Sequence, residues 1–509
     1  MKANPRLLPA GTFPVFPWIL LMGIGISLTP IDVAAQRASP VGRDAALGLR
    51  FEDLEFSPPE VQKKNLDSGV TVFLLEDHTL PLVSLYARFR GGYALLPRNS
   101  YAAATALSGL LRSGGTTRLP PDSVDHLIDF YALQMSFGGG GQSTFSSLNT
   151  LSKHLEPAME LWTDILRNPR FDSLEVEVWR DRQLESARRR GDSPGLLAVS
   201  EFNRLMFGDH PIGWELNESD LAQDRLNPPA MAQVYSRVFC LDNLILGAVG
   251  DVDWPRLAPL LDRMLSGWAE CSEPLMEPRI PELRRGRSVF LIPKDLTQST
   301  IVMAKPGGVT QRGDSDYFAS RIGNSTLGAS GFTSRLLSQV RTDMGLAYGV
   351  SSFWTTPARF EGIVGATTQT KTESTIAATQ LILEIMGNMA DSPPAQEEGD
   401  RIVSQIVNGF VFNFQDPSQI VSRQMFYLAQ GLPEDWLERY VDGIQRVRPR
   451  AIQEVFRKHV DPEEMIILIV GDPDGFDQPP EVLGEVHIWD PGSGSQVIDP
   501  RREGRRSRH

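Results

Sequence analysis

Cysteine and histidine are the scarcest reactive residues in this 509-residue chain, at two and seven, and each shortage excludes a class of chemistry. Two cysteines cannot staple a small disulfide scaffold or build a Cys-based zinc module. Cys240 and Cys271 belong to no motif. A buried thiol is the default for each, and an exported location would permit a disulfide between them, which spacing alone cannot decide. The histidines stand at 78, 126, 154, 210, 459, 487 and 509, and no two lie within one helical turn. A hydrolytic zinc site on a helix needs two imidazoles one turn apart with a carboxylate beside them, so neither His-Glu-x-x-His nor its inverted form can be written anywhere in the chain. Positive charge is short as well. With 50 Lys+Arg against 63 Asp+Glu, the formal charge of −13 argues against a nucleic-acid binder, which needs a basic face to neutralise phosphates. No Gly-x-Ser-x-Gly elbow is present. The run Gly138 to Gly141 lacks the following Gly-Lys-Ser/Thr of a phosphate cradle and reads as a flexible turn.

What is present describes a globular protein with two unusual ends. Hydrophobic residues make up 41% and charged residues 22% of the chain, and its length suits two to four domains. At the N-terminus Lys2 and Arg6 precede an apolar stretch from Phe13 to Leu28, and the small-residue run Val33-Ala34-Ala35 follows. Basic, apolar and small segments in that order read as a secretory signal over residues 1–35. The apolar stretch is short for a membrane span and is interrupted by Pro14 and Pro17, so an exported protein with no stable span after cleavage is expected. An uncleaved anchor is the alternative. Residues 486–509, arginine-rich at their end, read as a disordered basic tail.

Between the ends, strand-like and helix-like stretches alternate, which means a mixed α/β or α+β build. Val70 to Leu75 and Pro81 to Phe89 are β-branched and aromatic runs split by Glu76-Asp77-His78, a pair of strands. Ala102 to Leu111, Val124 to Tyr131 and His154 to Leu166 carry helical periodicity. The chain also repeats itself. Val234 to Phe239 leads through Asn243 to Val249 into Gly250-Asp251, and Val455 to Val460 leads through Met465 to Val470 into Gly471-Asp472. Both copies keep the same internal spacing, with an offset of 221 residues, so a helix end, a buried strand and a Gly-Asp turn recur in register. This predicts two homologous units, 36–275 and 276–485, joined near Cys271 to Arg287, where proline and charge replace apolar periodicity.

Three stretches together resemble the M16 metallopeptidase family, the group of pitrilysin, insulinase and mitochondrial processing peptidase. They are Leu66-Asp67-Ser68-Gly69-Val70 running to Leu80-Pro81-Leu82-Val83, similar to the family's opening hairpin; Gly331 to Leu336, Val340-Arg341 and Gly345-Leu346-Ala347-Tyr348-Gly349-Val350; and Gly431-Leu432-Pro433 through Val455 to the Gly471-Asp472 turn. The resemblance implies an α+β fold of tandem M16-type (LuxS/MPP-like) units forming one half of a clamshell around a peptide chamber. It also implies where a zinc helix would lie. Counting back from Gly115-Thr116 places Ala106 and Leu110 where the family has its two histidines and Gly109 where it has the glutamate. The family's third ligand maps near Asp192-Ser193-Pro194, on Ser186 with Glu185 adjacent. Arg341 and Tyr348, which in the family contact the bound peptide's backbone, are retained. The resemblance therefore implies a zinc-less, non-catalytic subunit, with no cofactor on this chain and zinc on an HxxEH-bearing partner subunit. The pair would form a heterodimer in the bacterial periplasm in which Arg341 and Tyr348 orient peptide substrates for the partner to cut. A peptide-binding or assembly homologue with no proteolytic role is the alternative.

Overall fold

The computed structural model describes residues 59–311, 315–412, 416–492 and 495–497; the expected signal segment 1–35 and the arginine-rich end 498–509 lie outside them. In the N-terminal half the elements are β1 (Gln62–Asn65), β2 (Thr71–Glu76), β3 (Leu82–Arg90), α1 (Tyr101–Ser113), α2 (Pro121–Phe130), β4 (Gln134–Gly139) and β5 (Ser143–Leu151). They continue with α3 (Leu155–Arg167), α4 (Ser173–Arg189), α5 (Pro194–Phe207), α6 (Pro228–Val238), β6 (Leu244–Gly250) and α7 (Trp254–Leu265). The strands form one sheet in the order β1-β2-β6-β3-β5-β4. β3 shows why the sheet has two faces. Its Val83, Leu85, Ala87 and Phe89 are buried against α1, α3 and their neighbours, while Ser84, Tyr86 and Arg88 point to the other side, as the period of two requires.

The C-terminal half repeats the plan with β7 (Ser288–Pro293), β8 (Gln298–Pro306), α8 (Ser315–Asn324), β9 (Ala347–Trp354), β10 (Ile363–Lys371), α9 (Thr375–Asp391), α10 (Gln396–Phe412), α11 (Pro417–Gln430), α12 (Trp436–Arg446), α13 (Pro449–His459) and β11 (Ile466–Gly471). Its sheet contains the run β7-β11-β8-β10-β9, the counterpart of β2-β6-β3-β5-β4. Pair senses match as well: β6 runs parallel to β2 and antiparallel to β3, and β11 runs parallel to β7 and antiparallel to β8. The 221-residue offset is structural. It carries Pro228–Val238 onto Pro449–His459, and Gly250 at the end of β6 onto Gly471 at the end of β11.

The halves interlock by exchanging a helix. On α5, Leu197, Phe202, Leu205 and Met206 pack against Phe290, Ile292, Val302 and Leu468 of the C-terminal sheet. On α11, Val421 and Met425 join Phe73, Leu75 and Val249 of the N-terminal sheet in one core. Gly247 permits that approach, because a Cβ there would lie 2.6 Å from Met425 Sδ and 2.7 Å from a Val421 methyl. Each large apolar side chain so buried contributes about 1.5–3 kcal/mol.

Four sequence expectations change. β2 and β3 are not paired with each other, because β6 lies between them; the polar link Glu76-Asp77-His78 spans a filled slot rather than closing a hairpin. Gly138 and Gly139 belong to β4. Val486–Asp490, assigned to the tail, forms β12 parallel to β7, and Ser495–Val497 pairs with it as β13. The apolar Val486, Ile488 and Trp489 supply the reason: Trp489 is buried and its Nε1 donates to Glu201 Oε2 at 2.9 Å. Finally, Cys240 and Cys271 are not buried free thiols; they form a disulfide with Cα atoms 5.0 Å apart. Among the described residues no helix is long and apolar enough to cross a membrane.

Candidate functional site

The helix that would hold zinc in the resembled family is α1. It is rich in alanine and leucine, its last turn closes with Gly114 N donating to Leu110 O at 2.8 Å, and Gly115 takes φ +69°, a conformation open to glycine and costly for other residues. Thr116 completes the turn by accepting the Arg118 and Leu119 amides on Oγ1 at 3.2 and 3.0 Å. Ala106 and Leu110 face inward, 0% and 1% exposed, in the N-terminal core. Gly109 faces outward, and the nearest group to a Cβ there would be Trp179 of α4 at 3.8 Å. None of these three side chains offers a donor atom. On α4, Glu185 is exposed and paired at 2.5 Å with Arg189 one turn on, and Ser186 is exposed. The residues at the positions matching the zinc motif do not fit the ion. Among the described residues no group of three or more His, Cys, Asp or Glu side chains converges as a metal site requires.

The segment carrying Arg341 and Tyr348 is built differently. After α8 the chain makes a π-helical turn at Ser325–Ala329, a short turn at Gly331–Thr333 and a second π-helical stretch at Leu337–Asp343. Wide turns of this kind are rare and concentrate at functional sites. Several residues of the family-like string have plain structural duties. Leu336 and Val340 are fully buried, Ser334 Oγ donates to Gly331 O at 2.7 Å, and Arg335 grips Glu398 of α10 with two bonds of 3.0 and 2.8 Å. Gly345, at φ +63°, ends the π-helical stretch by donating to Arg341 O at 3.2 Å.

Tyr348 stands outside that core, and Arg341 meets it there. Among the described residues β9 is an edge strand, paired only with β10, and its register slips at the start: Gln369 faces Gly349 but Thr370 faces Ala347, which leaves Tyr348 without a partner across the ladder. Such a bulge re-aims a side chain. Tyr348 stands 86% exposed, and the Arg341 guanidinium sits 5.1 Å from its ring centroid, a cation–π contact that holds both groups in one place. The structure thus brings the two retained residues together at the open end of the C-terminal sheet. The bulge and the unpaired strand edge beside them carry no sequence signal beyond Gly345 and Gly349.

Comparison with known proteins agrees with this build. Residues 225–406 match the family model of the Peptidase M16 inactive domain. The chain is 21% identical to the non-peptidase homolog YmxG of Helicobacter pylori over 82% of its own length and 96% of that protein, and 23% identical to an uncharacterized zinc protease of Streptomyces coelicolor over 67% of its length and 75% of that protein. Among solved structures it is similar to the peptidase M16 inactive domain from Pseudomonas fluorescens, with TM-score 0.74 and 21% identity over 82% of this chain and 99% of that one. It also resembles the periplasmic protease PqqL from Escherichia coli, with TM-score 0.70 and 14% identity over 83% of this chain and 48% of that one. Residues 225–406 thus match the M16 inactive domain, and the chain as a whole is similar to M16 inactive-domain and non-peptidase proteins over most of its length.

Proposed function

We propose that this chain is the zinc-less subunit of an exported two-chain M16 peptidase, in which it binds and orients peptides for an HxxEH-bearing partner. One observation carries the reading: a tyrosine exposed on a bulged edge strand meets an arginine of the preceding π-helical stretch over its ring, in a chain whose α1 offers no metal donor. A guanidinium and a phenol both donate hydrogen bonds. Donors aimed at a peptide carbonyl stabilise the oxyanion that develops there when water attacks. Zinc and water would come from the partner. The name of the Helicobacter relative, a non-peptidase homolog, supports an inactive role for the isolated chain. The Cys240–Cys271 disulfide supports an oxidising compartment, as does the order of segments in residues 1–35.

The test is co-expression with an M16 chain that carries HxxEH. The complex should cleave peptides that neither chain cleaves alone. Arg341→Ala or Tyr348→Phe should cut its turnover by about 10²-fold, as loss of an oxyanion donor does, without dissociating the pair. A peptide-binding or assembly role with no proteolysis is indicated if the two chains associate and those substitutions leave turnover unchanged. Stoichiometric zinc in the isolated chain would overturn both readings.

A further inference from the structure

A cavity of 570 Å³ lies where α11 stops covering the N-terminal sheet, and elements from both halves wall it. Three arginines reach it: Arg88 from β3, Arg321 from α8 and Arg423 from α11. Among its described lining residues there is no carboxylate, in a chain with 63 of them. None of the described ion pairs engages Arg88 or Arg321. Arg88 is half-buried, its NH1 donates to Ser143 Oγ at 3.0 Å, and its guanidinium lies 6.0 and 5.8 Å from the rings of Phe145 and Phe426. Burial pushes its pKa down, and no acid among the described residues offsets that. A charge held out of water without a counter-ion is costly, so aromatic faces compensate only in part.

The remaining walls combine flat aromatic rings with uncharged polar side chains such as Gln311, Gln419 and Ser422. Phe410, Phe426 and Trp436 contribute rings, and Arg423 sits 5.7 Å from the Phe410 centroid. Arg423 also hydrogen-bonds the Tyr427 phenol, whose pKa burial raises; Glu438 is the acid that acts on that phenol, from outside the cavity lining. The volume lies within the range of small-molecule sites.

We propose that this cavity binds a carboxylate borne on an aromatic body, either a free aromatic acid or the C-terminus of a peptide ending in an aromatic residue. The guanidiniums would take the carboxylate in charge-assisted bonds, and the rings would stack on the body. The site is separate from Arg341 and Tyr348 and needs no proteolytic partner, so it stands or falls independently of the peptidase reading.

The test uses the whole chain without its signal, titrated calorimetrically with 3-phenylpropionate, its amide, inorganic phosphate, and Gly-Gly-Phe with a free or amidated C-terminus. One acid should bind per chain, and the amide should bind at least tenfold more weakly. Arg321→Gln, an exposed substitution expected to leave melting unchanged, should weaken the acid by roughly tenfold, the loss of one charge-assisted bond. Arg88→Gln added to it should weaken binding further. Tighter binding of free-acid Gly-Gly-Phe than of phenylpropionate identifies the peptide terminus as the source, and the reverse order identifies the free acid. Equal binding of acid and amide, competition by phosphate at equal concentration, no heat with any probe, or unchanged affinity in Arg321→Gln would each overturn the proposal.

Discussion

The two halves share a strand order, a 221-residue offset and an exchanged helix, and they differ most where family function would sit. After β3 the N-terminal half makes one regular helix, α1, and fills the inward positions of the degenerate motif with Ala106 and Leu110. After β8 the C-terminal half makes α8 and then abandons regular helix for two π-helical stretches, a bulge and an exposed tyrosine. When donors are lost, a helix is free to optimise packing. Where donors are kept, the irregular backbone that displays them is kept too, anchored in the core by Leu327, Leu336 and Val340.

The hardest way to break this comparison is to rebuild the motif in α1. Ala106→His or Leu110→His puts an imidazole where exposure is 0% or 1%. Overpacking at position 106 or lost packing at 110, together with an unsatisfied polar ring, should cost about 4 kcal/mol or more, seen as a collapse of the urea midpoint. The triple change with Gly109→Glu should not bind zinc. A triple variant that folds with wild-type stability and holds one zinc would show that α1 is still a metal helix in waiting.

A second difference precedes the shared strand. Cys240 stands ahead of β6, and the residue at the same offset ahead of β11 is Asp461, which accepts the Glu463 amide at 2.9 Å instead. Only the N-terminal half is tied covalently to the linker. The bridge closes a loop with a sequence separation of 31, so Cys240→Ala with Cys271→Ala should cost about 3–4 kcal/mol by chain entropy. Chemical denaturation of the variant against the parent checks it, and a loss below about 1 kcal/mol would mean the bridge does not hold the linker.

The comparison can be sharpened inside one motif. Arg335 and Arg341 lie six residues apart in the same string, yet Arg335 is locked to Glu398 and Arg341 stacks on an exposed ring. Arg335→Ala should cost about 2 kcal/mol, since it leaves a sheltered carboxylate without its bidentate partner, whereas Arg341→Ala should stay within about 0.5 kcal/mol of the parent. Melting curves of the two variants give the answer. Equal losses would mean that Arg341 serves the fold.

The sequence made the repeat, the strands at 70–75 and 81–89 and the missing zinc donors legible, because each is local: a spacing, an alternation, a residue type. It hid what depends on distant partners. Nothing in Leu66 to Val83 says that β6, some 170 residues on, inserts between two neighbouring strands. Val486 to Asp490 looks like the start of a polar tail until β7 offers an edge and α5 offers Glu201 to Trp489. The pairing of Cys240 with Cys271 needed the fold to bring them into range. Arg341 and Tyr348 could be nominated only as part of a string; the bulge that exposes Tyr348 appears only once β10 is paired.

The exchanged helices give the subtlest test. Counted from the proline that opens each, Glu201 on α5 corresponds to Gln424 on α11. Glu201 is buried, accepts from Trp489 and lies 3.3 Å from Arg204. Burial raises its pKa above the ordinary 4.5, against the pull of Trp489 and Arg204. The sign follows from proton counts. Above 4.5 the unfolded chain releases the proton while the folded chain still holds it, so this group's contribution falls as pH rises from 4.5 to the folded value and is constant beyond. Glu201→Gln keeps an acceptor for Trp489 and removes the titration, as Gln424 does on the other helix. The stability difference between variant and parent should therefore shift in favour of glutamine as pH rises from 4 to 7, and this difference cancels every other titrating group. Urea midpoints of both proteins across that range measure it. A difference that does not change with pH would show that Glu201 is as solvated in the folded chain as in the unfolded one, and that the two exchanged helices are electrostatically alike.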